Sequence, residues 1–209
     1  GPQNQLGLAN HFIQEGLAHR FTPFNWQKLG RVPKSETGIT EYAIDSEKMY
    51  DNLMNKFKFG GIDNPDIYLD ETVMRMCLSH RRLFAQLAKQ LLIEGQNEKA
   101  LAVLDRAMEA IPATTVPHDA YASGSMDIAE CYVQLGQMEK ALPILAAMGD
   151  RAGEYIDWYL SGTDKQFQSN ARSCQYELMI LNDVSTLLKG NELAKEYEAL
   201  LNDKFMQFR

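Results

Sequence analysis

Residues 95–101 read GQNEKAL and residues 136–142 read GQMEKAL, two heptapeptides identical at six positions of seven. Each follows a stretch with apolar residues at helical period and precedes another. Helix, tight turn, helix, written twice, decides the fold: units that recur in this way cannot bury their apolar faces alone and must stack on one another.

The first copy fits the tetratricopeptide pattern over residues 81–114. Phe84, Leu87, Ala88 and Leu91 take first-helix positions, Gly95 the turn, Ala100, Leu104 and Ala107 the second helix, and Pro112 the exit. The alanines let two helices approach closely, and Gly95 supplies the positive φ of the turn. The second copy, residues 122–155, repeats this with Ile128, Ala129, Tyr132, Gly136, Ala141 and Leu145, but has Gly153 in place of the exit proline. Pro143, near the start of its second helix, removes one backbone N–H. The turn glycines are 41 residues apart, so an insertion near TTVPHDA at 114–120 lengthens one connection. A degenerate third unit over residues 171–206, with Gly190 at its turn, suits a terminal capping pair.

Upstream, Asp70 is placed to cap a long helix that begins with a Glu71–Arg75 pair, and Asp45 or Ser46 to cap a helix through SEKMYDNLMNKFKF. Met49, Tyr50, Leu53, Met54 and Phe57 form one stripe of that helix, which must pack on the repeats. Residues 17–24 and 39–44 alternate loosely and are expected to pair as a short β-hairpin, while residues 4–16 are expected to form a short helix. The expected fold class is all-α, a tetratricopeptide-like α/α repeat wound as a right-handed superhelix. It divides into a lead-in, 1–45, and a repeat domain, 46–209.

Composition narrows the function. With 21 basic and 28 acidic residues the net charge is −7, so the averaged field repels nucleic acid and anionic lipid surfaces. No apolar run reaches the roughly 18–20 residues of a membrane span, so this chain is not expected to insert. The opening GPQNQLG lacks Met, as a cleaved tag would leave it, and a piece of something longer is expected. Cys77, Cys131 and Cys174 are widely spaced among apolar neighbours and read as small buried hydrophobes.

No catalytic residue, cofactor or metal is expected. The acidic joint KFKFGGIDNPDIYLDE at 56–71 offers Asp63, Asp66, Asp70 and Glu71, but Pro65 breaks the alternating oxygen ligands of a calcium loop. Gly60 and Gly61 ending a helix, a turn at Asn64–Pro65 and a cap at Asp70 account for the same residues. His11, His19, His80 and His118 lack zinc spacing and read as exposed polar residues. Ser123-Gly124-Ser125 lacks the remainder of a nucleophile elbow. The ten methionines mostly sit at helix-core spacing.

The first helices of stacked pairs line a concave groove able to hold a protein or peptide segment. Its candidate residues are Arg82, Ala85 and Lys89 in the first unit and Met126, Glu130 and Val133 in the second. The asparagines of a carboxylate clamp are missing, and the lead-in is an alternative occupant of the groove.

The segment MYDNLMNKFKFGGIDNPDIYLDE, with the earlier LGLANHFIQEGLAHRFTPF, resembles the C-terminal soluble region of a bacterial family of large multi-pass membrane proteins described as protein O-mannosyltransferase-like. The resemblance covers most of residues 4–112 and is strongest over 48–71, with His19 departing where an aromatic residue is expected. It implies a non-catalytic accessory domain, periplasmic and attached to an inner-membrane glycosyltransferase. The partner would include the membrane portion of its own chain, and the catalytic acids would lie elsewhere. A free-standing peptide-binding adaptor is the alternative reading.

Overall fold

The computed structural model describes residues 7–32, 42–118 and 123–208. Seven α-helices dominate the described residues: α1 (Ser46–Asp51), α2 (Glu71–Ile93), α3 (Asn97–Ala110), α4 (Ser125–Gln134), α5 (Met138–Leu160), α6 (Asp164–Leu187) and α7 (Leu193–Phe208). Consecutive helices from α2 onward pair as α2 with α3, α4 with α5 and α6 with α7, while α2 also packs on α4 and α5 on α6. One continuous core runs through all three pairs, from Phe84 and Leu87 through Ile128 and Leu145 to Leu181 and Tyr197. The all-α repeat expected from the paired heptapeptides is present.

The two turns are built alike. Gly95 and Gly136 both have φ +72°. Gln96 N–H donates to the Leu91 carbonyl at 2.8 Å, and Gln137 N–H to the Tyr132 carbonyl at 2.8 Å, the long-range bond of a glycine-terminated helix. The Asp45 and Asp70 carboxylates accept from Lys48 N–H and Val73 N–H, so both caps stand where the sequence places them.

In α5 the helix runs past Gly153 to Leu160, since no proline stops it. Pro143 is accommodated because it lies on the exposed face, where the carbonyl it leaves free meets water. Gly149 and Gly153, one turn apart, face α7. A methyl on Gly149 would overlap the Tyr197 ring, and one on Gly153 would sit 3.2 Å from Leu200 Cδ2. The Tyr197 hydroxyl, brought in by this approach, lies 3.2 Å from the Ala146 carbonyl and 2.8 Å from Asp150 Oδ1.

The lead-in differs from expectation in its pairing. Residues 12–14, expected within a helix, form β1 (Phe12–Gln14), and only Ala9–His11 makes a single 3-10 turn; residues 4–6 lie outside the described residues. β1 pairs antiparallel with β2 (His19–Phe21), and β3 (Ala43–Ile44) joins the other side of β1 in parallel. A short hairpin is therefore present, but residues 17–24 pair with β1 rather than with 39–44, of which 39–41 lie outside the described residues. Closing a tight turn at Gly16 and Leu17 costs less chain entropy than closing the long loop. The turn is sealed by Glu15 N–H donating to the Ala18 carbonyl at 3.0 Å.

The sheet rests on α1 and α2. Asn52 Nδ2 donates to the Glu15 carbonyl at 2.7 Å, and Gln14 Nε2 to Gln86 Oε1 at 3.2 Å. Met49 and Leu53 of the predicted stripe are fully buried, and the helix ends at Lys56 after a π turn over Asn52–Lys56. In the acidic joint, Phe57 and Phe59 turn inward, with His80 at 5.9 and 6.0 Å from their ring centres and Phe84 at 5.9 Å from Phe59. The joint is a shaped loop that clamps α1 to α2.

Candidate functional site

The first helix of each pair, α2, α4 and α6, contributes to one face. Between α4 and α6 lies a cavity of about 420 Å3, lined by Met126, Asp127, Glu130, Asp183, Thr186 and Leu187. Helical geometry makes the lining: Met126, Asp127 and Glu130 are three and four residues apart on α4, as are Asp183, Thr186 and Leu187 on α6. Met126 and Leu187 also pack on the core, so the cavity has an apolar floor between acidic walls.

Lys89, on α2, reaches this rim. Its Nζ lies 2.6 Å from Asp127 Oδ1 and 2.8 Å from Glu130 Oε2. Burial works against the Lys89 ammonium, but hydrogen bonds to Asp127 and Glu130 outweigh it and hold its pKa above the usual lysine range. Asp183 is different: burial pushes its carboxyl up, Asn182 partly offsets this by hydrogen bonding, and the nearby Glu130 charge pushes it up further. Two carboxylates thus share the Lys89 cation, while Asp183 sits without it in an environment that an incoming positive charge would relieve.

The sequence-derived candidates divide accordingly. Met126 and Glu130 line the cavity. Lys89 borders it through its ion pairs. Arg82 is exposed on α2 but is not among the lining residues, and Ala85 is fully buried in the α2 packing, so it cannot present a groove surface. Asp127, Asp183, Thr186 and Leu187 escaped the sequence reading. The i, i+3, i+4 spacing from Asp183 is a usable signal, hidden because residues 171–206 read as a capping pair.

A second polar cluster is buried between α2 and the start of α4, and here two expectations fail. His118 is only 7% exposed, not a surface histidine, and its Nδ1 lies 2.8 Å from Ser125 Oγ. His80, likewise expected at the surface, is half-buried between Phe57 and Phe59. Arg81 is fully buried: Nη1 donates to the Pro117 carbonyl at 3.1 Å and Ser125 Oγ at 3.2 Å, and Nη2 donates to the Ile111 carbonyl at 3.0 Å and the Val116 carbonyl at 2.5 Å. Burial, reinforced by the Arg81 charge, lowers the His118 pKa to about 4, so its imidazole is neutral. Ser125 is itself fully buried. The cluster's work is structural: Arg81 gathers the carbonyls of the inserted segment onto α2.

The acidic joint does not assemble into a centre. Asp70 Oδ1 accepts from Val73 N–H at 2.8 Å, and Asp66 N–H donates to Asn64 Oδ1 at 3.0 Å, as a cap and a turn require. Among the described residues no group of three or more His, Cys, Asp and Glu comes together as a metal would require. Cys77, Cys131 and Cys174 are buried free thiols. No helix of the described residues is long and apolar enough to cross a membrane.

Residues 91–160, from the last turn of α2 to the end of α5, match the family model described as tetratricopeptide repeat. No curated protein and no solved structure matches the chain. The match covers both heptapeptide turns and leaves the lead-in and the α6–α7 pair outside.

Proposed function

We propose that this chain is a non-catalytic interaction module that holds a partner segment in the groove between α4 and α6, and that the segment carries a Lys or Arg beside an apolar side chain. The observation that carries the reading is the cavity itself, with Asp127, Glu130 and Asp183 above Met126 and Leu187. Repeats of the matched kind typically hold protein or peptide partners, which supports the same class of function. An apolar anchor gives the segment affinity and the carboxylates give it sign, the usual division of labour in peptide grooves.

A peptide array probed with the protein tests this. Basic-apolar sequences should be retained over acidic-apolar ones, and the double variant Asp127→Lys, Asp183→Lys should reverse the preference. Equal retention of both classes by the wild type would remove the proposal.

The setting we infer is that of an accessory domain of a membrane glycosyltransferase-like protein of the O-mannosyltransferase type, periplasmic, with a segment of its own membrane portion as the partner. It is supported by the resemblance of residues 48–71. Glycosyl transfer from a lipid-linked sugar by this chain alone would contradict the non-catalytic role. A free-standing adaptor would use the same groove, and the native gene distinguishes the two through the presence or absence of upstream membrane spans.

A further inference from the structure

The N-terminal sheet carries a surface opposite in character to the rest of the molecule. Between residues 16 and 32 the sequence holds Arg20, Lys28 and Arg31 and no carboxylate, within a chain of net charge −7. Arg20 is engaged by Glu15 at 2.5 Å. Lys28 and Arg31 are exposed and have no carboxylate partner among the described residues. Beside them stand large apolar side chains in water: Leu8 is 43% exposed, Phe21 55%, Phe24 57% and Leu29 58%.

These residues are held in place by a built surface. Thr22 N–H donates to the His11 carbonyl at 2.8 Å, Trp26 N–H to the Asn10 carbonyl at 2.8 Å, and Arg31 N–H to the Trp26 carbonyl at 2.9 Å. Asn10 Nδ2 donates to Gln27 Oε1 at 2.7 Å, and the Trp26 indole N–H to Thr22 Oγ1 at 2.8 Å. The Phe24 ring packs edge-on against Trp26 at 5.8 Å, and Phe21 against Phe12 at 5.5 Å. The segment is thus fastened to residues 8–12 while Phe24 and Leu29 point outward. Isolated exposed apolar residues need no explanation, but a hydrogen-bonded platform bearing several beside cations with no carboxylate partner among the described residues does.

We propose that this surface lies against an anionic lipid bilayer, with Phe21, Phe24 and Leu29 at the headgroup boundary and Lys28 and Arg31 facing lipid phosphates. Aromatic rings and basic side chains are the residues the membrane interface favours, and cations are drawn to anionic leaflets. Aliphatic Leu8 and Leu29 suit acyl chains and have no role in stacking nucleic-acid bases. The contact is peripheral, since no described helix can span a bilayer.

Flotation of the full chain with vesicles decides the matter. Binding should occur with phosphatidylcholine–phosphatidylglycerol vesicles, be weak with phosphatidylcholine alone, and fall as salt is raised. Lys28→Glu with Arg31→Glu should cut binding by more than about tenfold, given roughly fivefold per basic residue. Phe24→Ser with Leu29→Ser should cut it as well, while the thermal unfolding of both variants stays at the wild-type midpoint. Failure to float with the mixed vesicles, equal flotation with neutral ones, or flotation unchanged by both variants would overturn the proposal. So would association of the surface only with a second copy of the chain, seen as sedimentation that depends on protein concentration and is lost in the same variants.

Discussion

Arg81 lies on the buried face of α2 between Cys77 and Phe84, where helical period calls for an apolar residue. Its guanidinium has the Ile111, Val116 and Pro117 carbonyls as acceptors, so it replaces backbone partners that an irregular buried segment cannot find for itself. Replacing it, Arg81→Met, leaves those carbonyls unsatisfied and should lower stability by about 2–4 kcal/mol, read from denaturant midpoints. His118 makes the same region sensitive to pH. Its folded pKa, about 4, is below the 6.5 of an unfolded histidine, so the unfolded chain binds the extra proton. The stability is complete above pH 6.5 and is lost as pH falls, by about 2 kcal/mol at pH 5 and about 3 kcal/mol at pH 4. His118→Gln should flatten that slope between pH 6.5 and 5, and an unchanged slope would show that other groups carry it. Neither residue's role was legible beforehand, because an arginine in an apolar stripe looks like an error of pattern and a histidine in a loop looks solvated. Their meaning depends on an insertion whose length shows in the sequence but whose path does not.

At the level of elements, what was legible followed local chemistry. Gly95 and Gly136, Asp45 and Asp70, and the stripe from Met49 to Phe57 each announce a turn, a cap or a buried face through their own neighbours. What was not legible depended on distant neighbours. Gly153 looked like a missing stop signal, yet Gly149 and Gly153 form the seat for Tyr197 and Leu200. Gly149→Ala should therefore destabilise by roughly 1–3 kcal/mol, although alanine is the better helix former by about 1 kcal/mol. A gain in thermal midpoint would show that Tyr197 moves aside freely. Gly124 is a similar case at the start of α4: its φ is +78°, and a methyl there would lie 2.8 Å from Arg82 Cα. Gly124→Ala should cost more than Gly95→Ala, which meets open space and bears only the strain of its own φ. Comparing the two midpoints separates packing from backbone strain. The pairing within the lead-in is not legible because three-residue strands carry too little alternation to declare their partners.

For the whole molecule, the three helix pairs matter to function through the face shared by α2, α4 and α6 and through the sign of its charge. The first two units alone offer Arg82 and Lys89 beside Glu130 on that face. Together with α6 it is acidic, because Asp183 joins Asp127 and Glu130 while Lys89 is already engaged by two of them. Whether the partner meets the carboxylates or Lys89 itself decides the direction of one substitution's effect. Lys89→Met frees Asp127 and Glu130, so it should tighten capture of a basic-apolar peptide several-fold and change stability by no more than about 1 kcal/mol, the worth of an exposed ion pair. Were Lys89 itself the contact, the same variant would weaken capture. The most direct measurement of where a partner is held is backbone amide NMR during titration with the basic-apolar peptide that the array retains best. Shifts concentrated at Met126, Asp127, Glu130, Asp183 and Leu187 are the predicted result; shifts confined to α3, α5 and α7 would place the partner on the opposite side of the repeat and contradict the account.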